Sequence, residues 1–147
     1  MNLLVYYSRS GLTKRIAADY KQKKDTDVLE IKVDKDYKGP IGFIKARIDS
    51  INKRLPKLET YDIDLKKYDK VIILGAVWAN GICAPVKSFL YENRGKIKNV
   101  EYIAISKRRI SNFCDIFDGM DYCINAHYKR ATAISVKFNR IVNIKRY

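Results

Sequence analysis

The segment Leu3-Leu4-Val5-Tyr6-Tyr7-Ser8-Arg9-Ser10-Gly11-Leu12-Thr13 decides the fold. Its first five residues are apolar or aromatic without alternation, so both faces of the strand they predict are buried, as in a parallel sheet. Ser-Arg-Ser-Gly then reads as a turn. Leu12, Ile16 and Tyr20 follow at every fourth position with Ala17 beside them, which is one stripe of a helix. Lys14, Arg15 and the basic segment 21–24 form its other face. A buried strand that runs through a short hydroxyl-rich bend into an amphipathic helix is the opening of an α/β domain.

Downstream the alternation repeats. Leu29, Ile31 and Val33 alternate with charged residues and predict a strand with one wet face, at a sheet edge. Gly39-Pro40 breaks the chain, and Ile41, Ile44, Ile48, Ile51 and Leu55 at helical spacing predict a helix that Pro56 stops. A polar linker from Lys57 to Asp69 leads to Val71-Ile72-Ile73-Leu74-Gly75, a second run apolar on both faces and hence a central strand. Trp78 to Ala84 reads as a loop, and Pro85 opens a helix carrying Val86, Phe89 and Leu90. Val100 to Ile105 predicts a fourth strand, and Phe113, Ile116, Phe117, Met120 and Ile124 a fourth helix. Ile134, Val136 and Phe138 alternate as a fifth, edge strand. Strand order 2-1-3-4-5 puts the doubly apolar runs inside and the alternating runs at the edges, with right-handed crossovers. Ligands of such sheets bind beyond the carboxyl ends of strands one and three. Only residues 139–147 follow the fifth strand, so the closing helix is expected to be short or missing.

The 147 residues are the size of one domain, 1–147. With 47% hydrophobic and 31% charged residues, the chain reads as globular. No apolar run approaches the roughly 18 residues of a membrane helix, and no basic region precedes the first apolar run, so neither a membrane span nor a secretory signal is expected. Cys83, Cys114 and Cys123 are odd in number and lack Cys-x-x-Cys spacing, which suits reduced thiols in the cytoplasm. His127 is the only histidine, and no metal site is expected. Thirty Lys and Arg against sixteen Asp and Glu give a net charge of +14, a field that attracts anions without naming them.

Two segments carry the chemistry. The bend Ser8 to Thr13 aims backbone N–H groups, hydroxyls and the positive end of a helix at one point, where a phosphate is well satisfied. Trp78 lies just past central strand three, at the switch point, where an indole can meet a flat ring. With both in view the chain resembles the flavodoxin family. Its opening is similar to that family's S/T-x-T-G-x-T phosphate loop, and Tyr68 to Val86 to its Y-D-x-I-I-x-G-x-P-V-W-A-x-x-x-x-P-V stretch. The resemblance spans roughly residues 1–105 and implies a flavodoxin-like three-layer sandwich around a five-stranded parallel sheet.

The resemblance also implies FMN as cofactor. Ser8, Arg9, Ser10, Gly11, Leu12 and Thr13 would form the phosphate loop, and Val77, Trp78, Ala79, Asn80 and Gly81 the isoalloxazine side. Gly81 frees the Asn80–Gly81 peptide to turn its carbonyl toward the flavin. The third loop, Ser106-Lys107-Arg108-Arg109-Ile110-Ser111-Asn112, lacks the family's Gly-rich character, and its cations would face the pyrimidine end and raise the reduction potential. The implied function is electron transfer, as a carrier or a small flavin-dependent oxidoreductase. Its partner would be an acidic redox protein or a small-molecule acceptor, and a homodimer is compatible. The alternative is a flavin-free interaction module whose basic, Tyr-rich surface binds nucleic acid or protein.

Overall fold

A computed structural model describes residues 1–79, 81–106, 128–137 and 140–146, with backbone alone for the last two segments. Strand β1 (Asn2–Tyr6) leads into α1 (Leu12–Lys23), β2 (Asp27–Glu30) and α2 (Gly39–Ile51). Strand β3 (Lys70–Trp78), the short β4 (Gly81–Ile82), α3 (Ala84–Glu92) and β5 (Val100–Ser106) follow, and β6 (Tyr128–Lys137) and β7 (Arg140–Arg146) complete the described chain. The sheet order is β2-β1-β3-β5-β6-β7, with β4 paired to β3 alone. The first five of these strands are parallel to one another, which is the expected 2-1-3-4-5 order.

The doubly apolar runs are where their patterns put them. Leu3, Leu4, Val5, Val71, Ile72, Ile73 and Leu74 are almost wholly buried. Alternate residues serve opposite faces. Leu4, Tyr6, Ile72, Leu74, Ile103 and Ile105 pack with Ala17 under α1, and Leu12, Ile16 and Tyr20 cover them. Leu3, Val5, Ile73 and Tyr102 face the other way, against Ala46 of α2 and Val86, Phe89 and Leu90 of α3. Pro85 sits in the first turn of α3, where its missing N–H costs nothing.

Four expectations need correction. Gly39-Pro40 starts the second helix instead of breaking the chain ahead of it, and that helix ends at Ile51. Its apolar stripe faces solvent, because the buried face is Gly42, Ala46 and Asp49. A Cβ on Gly42 would lie 2.1 Å from the Tyr37 carbonyl carbon, so only glycine permits this approach. The Trp78-to-Ala84 loop is a hairpin, with Trp78 opposite Gly81 and Val77 opposite Ile82. The Lys57-to-Asp69 linker buries Leu58, Leu65 and Tyr68 and contains a 3-10 turn, Leu65–Lys67. Residues 140–146 form β7, antiparallel to β6, so the fifth predicted strand is not the edge; the segment is extended, in keeping with the expected lack of a full closing helix. The predicted helix through Phe113 to Ile124 lies outside the described residues, as do Cys114, Cys123 and His127.

Candidate functional site

β1 delivers Tyr7, buried, and then the chain bends. Gly11 makes the bend close: its φ of +88° is left-handed, and the space where a Cβ would sit is open to 4 Å. Gly11 is the N-cap of α1, and its carbonyl already accepts from the Arg15 N–H. The Ser8 hydroxyl accepts from the Gly11 N–H at 3.0 Å and the Lys14 N–H at 3.3 Å. The amides of Leu12 and Thr13, at the first two helical positions, have no intrahelical acceptor and carry the positive end of the helix.

The other predicted residues of this bend differ in what they offer. Thr13 is buried, Ser10 is exposed, and Leu12 turns its side chain into the core under α1, leaving its N–H. The Arg9 guanidinium lies 5.3 Å from the centre of the Phe43 ring on α2, a cation–π contact that ties the bend to the second helix.

The second segment is the β3–β4 hairpin. β1 and β3 pair in parallel with Tyr6 opposite Leu74, so Tyr7 and the residues after Gly75 leave the same end of the sheet. Val77 and Trp78 are half-buried, and Ala79 at the tip is exposed with φ +46°, a left-handed conformation that L-alanine adopts at a cost. Gly81 pairs opposite Trp78, and Asn80 lies outside the described residues. Ser106 ends β5, one residue past Ile105, which pairs with Ala76, so it stands beside the base of the hairpin. Lys107 and Arg108 lie outside the described residues.

Aromatic contacts join bend and hairpin. The Trp78 ring meets Tyr7 at 5.8 Å and Tyr37 at 5.2 Å, and Tyr7 meets Tyr37 at 6.3 Å, all edge to face. Tyr37 is wholly buried and donates its hydroxyl to Asp49 at 2.7 Å. Asp49 is itself buried and also accepts from Lys35 at 2.8 Å and Arg54 at 3.5 Å. Burial alone pushes the Asp49 carboxyl up, but the hydrogen bonds from Lys35 and Tyr37 and the positive charges outweigh it, so the group is held below its ordinary range. Burial, with the Asp49 hydrogen bond, drives the Tyr37 phenol up, and burial pushes Tyr7 up to about 12. Both are neutral phenols across the physiological range. Cys83 is buried and pushed up to about 12 by that burial, so it is a packed thiol and not a nucleophile.

Tyr7, Tyr37 and Asp49 were not among the residues singled out from sequence. Asp49 had a readable signal: it is the one acid in an otherwise apolar and basic helix, in phase with Gly42 and Ala46.

The same fold occurs in solved structures. A flavoprotein from Lactobacillus acidophilus, crystallised in complex with FMN, is 22% identical, with 91% of each chain covered and a TM-score of 0.72. The fold is flavodoxin-like. An NMR structure of the apo form of the flavoprotein from the same organism is 24% identical and covers 90% of this chain and 89% of that one, with a TM-score of 0.68. A crystal structure from Bacteroides eggerthii gives a TM-score of 0.75 at 18% identity, over 95% of this chain and 88% of that one. No family model matches the chain, and no curated protein matches it. Among the described residues no helix is long and apolar enough to cross a membrane.

Proposed function

We propose that this chain binds FMN at the carboxyl ends of β1 and β3 and serves as a redox protein, passing electrons as a carrier or as a small flavin-dependent oxidoreductase in the cytoplasm. The observation that carries the reading is the joining of the Ser8–Thr13 bend and the Trp78 hairpin at one end of the sheet by the contact of Tyr7 with Trp78. The flavoprotein from Lactobacillus acidophilus that shares the fold was crystallised with FMN.

The residues present suit the group. Gly11 keeps its flank open and sets the first-turn amides of α1 at the bend, which favours a phosphate dianion. Ser10, exposed, and the Leu12 and Thr13 N–H groups are the donors on offer, with Ser8 serving chiefly to hold the bend. Trp78 presents a half-buried indole beside that bend. FMN, when bound, supplies the one- and two-electron chemistry. The protein's part is to fix the indole and the bend relative to each other. It does so by wedging Tyr7 and Tyr37 behind Trp78 and anchoring Tyr37 to the Asp49 carboxylate. The net charge of +14 suits an anionic cofactor and an acidic electron-transfer partner.

Titrating the purified chain with FMN tests the reading, followed by flavin fluorescence and by the emission of Trp78, the only tryptophan. Quenching of both signals with saturation is expected. Gly11→Asp places a carboxylate at the phosphate end and a side chain at positive φ. It is expected to weaken FMN far more than riboflavin, which lacks the phosphate. A colourless protein that FMN does not quench, or equal loss of both ligands in a variant with native circular dichroism, counts against the proposal.

A further inference from the structure

Helix α2 turns a row of large apolar side chains to solvent. Ile41, Ile44, Ile48 and Ile51 are 71, 57, 45 and 61% exposed, and Leu55 just past the helix is 45% exposed. At roughly 100° per residue, the four isoleucines lie opposite the buried face of Gly42, Ala46 and Asp49. Arg47 borders the row on one side and Lys45 on the other, both exposed. The helix has one acid, Asp49, which is buried and held by Lys35, Tyr37 and Arg54. Its solvent-facing charges are therefore all positive. Lys38, Lys53 and Lys57 extend the positive border past both ends. Asp34 and Asp36 line a hollow beside the helix together with the buried Asp49, and Lys35, Lys45 and Arg54 match these three acids one for one.

A contiguous apolar patch beyond a few hundred Å² marks an interaction site on a soluble domain. Charge and shape choose among occupants. A second copy would set Lys45 and Arg47 against like charges, in a chain that already carries +14. The patch is also a ridge on a single helix, so a folded protein partner must supply a matching apolar groove with an acidic rim. An anionic bilayer meets every requirement at once. Its surface yields to a ridge, its acyl boundary takes the isoleucines, and its phosphates receive the flanking Lys and Arg, whose stems reach outward.

We infer that α2 seats the protein on an anionic lipid surface, with Ile41, Ile44, Ile48 and Ile51 in the acyl boundary and Lys45 and Arg47 on the headgroups. This is peripheral attachment and calls for no spanning segment. It stands apart from the flavin reading, although the Arg9–Phe43 contact places the Ser8–Thr13 bend beside the docking face.

Co-sedimentation of the full chain with phosphatidylcholine vesicles, with and without phosphatidylglycerol, tests the inference. Binding to the phosphatidylglycerol vesicles alone is expected. Ile44→Gln with Ile48→Gln alters two exposed side chains and leaves the circular dichroism and urea midpoint unchanged. It lowers the partition coefficient about tenfold or more. Lys45→Ala with Arg47→Ala lowers it about thirtyfold at low ionic strength. The control, Lys21→Ala with Lys24→Ala at the C-terminal end of α1 across the sheet, stays within about twofold of the parent, the distance screening of exposed charges setting that limit. Three results overturn the inference. One is no sedimentation with anionic vesicles. Another is indifference to the isoleucine pair with equal loss from both basic pairs, the mark of diffuse attraction to the +14 surface. The third is a dimer in velocity sedimentation that the isoleucine pair dissolves, which assigns the ridge to a second copy.

Discussion

Removing the Tyr37 hydroxyl and the Asp49 carboxylate, singly and together, tests the anchor behind Trp78. The phenol donates to the carboxylate at 2.7 Å, and both groups are buried. A hydrogen bond to a charged group is worth about 1.5–3 kcal/mol. Tyr37→Phe keeps the ring against Tyr7 and Trp78 and leaves Asp49 with Lys35, so a loss of about 2 kcal/mol is expected. Asp49→Ala removes the same bond and leaves the Tyr37 hydroxyl buried without its acceptor, which adds about 1–3 kcal/mol.

Lys35 and Arg54 contribute little to that sum. Their side chains are 40 and 60% exposed and return to water, so their share is at the surface-pair level of about 0–1 kcal/mol. The single Asp49→Ala change therefore costs about 3–5 kcal/mol, a large part of a typical domain's stability of roughly 5–15 kcal/mol. In the Asp49→Ala background, Tyr37→Phe is expected to be neutral or stabilising, because it removes the orphaned hydroxyl. The coupling between the two sites is then about 2 kcal/mol or more.

Urea unfolding read by Trp78 emission measures all four proteins, since that indole stands 5.2 Å from the Tyr37 ring and is unique in the chain. The pH dependence supplies a second arm. The folded Asp49 carboxyl is held below its unfolded value, so its contribution is fully present above the unfolded pKa of about 4 and fades as pH falls through the lower folded one. The gap between the parent and Asp49→Asn should close in that acid window. Equal losses from Tyr37→Phe in both backgrounds, within about 0.5 kcal/mol, would refute the anchor.

Gly42→Ala drives a methyl into the Tyr37 carbonyl, and a loss of about 2 kcal/mol or more in urea is expected despite alanine's better helix propensity. Ala79→Gly relieves the left-handed hairpin tip and should raise stability by about 0.5–1 kcal/mol, read as a higher thermal midpoint. Burial pushes the Tyr6, Tyr7 and Cys83 pKa values up to about 12 from 10.0, 10.0 and 9.0. Their contribution is complete below those unfolded values and is lost as pH rises toward about 12. A pH series of urea midpoints should fall steeply through that alkaline window, and a flat series would contradict the burial of these groups.

The sheet was legible because Leu3–Tyr7 and Val71–Leu74 carry apolar residues on both faces, a pattern few solvent-edged strands show. Pro85 and the Val86–Phe89–Leu90 set marked α3 for the same local reason. The outward stripe of α2 was not legible, since helical periodicity finds a face without saying which way it points. That direction is set by Tyr37, twelve residues before Asp49, and by the contact only Gly42 permits. The hairpin after Trp78 was hidden because its tip begins with Ala79, a residue seldom found at positive φ. The bend and the indole were both singled out from sequence, but the aromatic wedge between them exists only in three dimensions.

β1 precedes every other strand of this sheet in the sequence, yet it lies inside the sheet, flanked by β2 and β3. A chain emerging from the ribosome can satisfy one of its flanks once residues 27–30 arrive, and the other only when residues 70–78 follow. Until then the backbone groups along that second flank of Asn2–Tyr6 are open to whatever strand comes near. Nascent-chain folding should therefore stall short of the native pairing until β3 has cleared the exit tunnel, and long-separation parallel pairing of this kind sets a slow step in refolding as well.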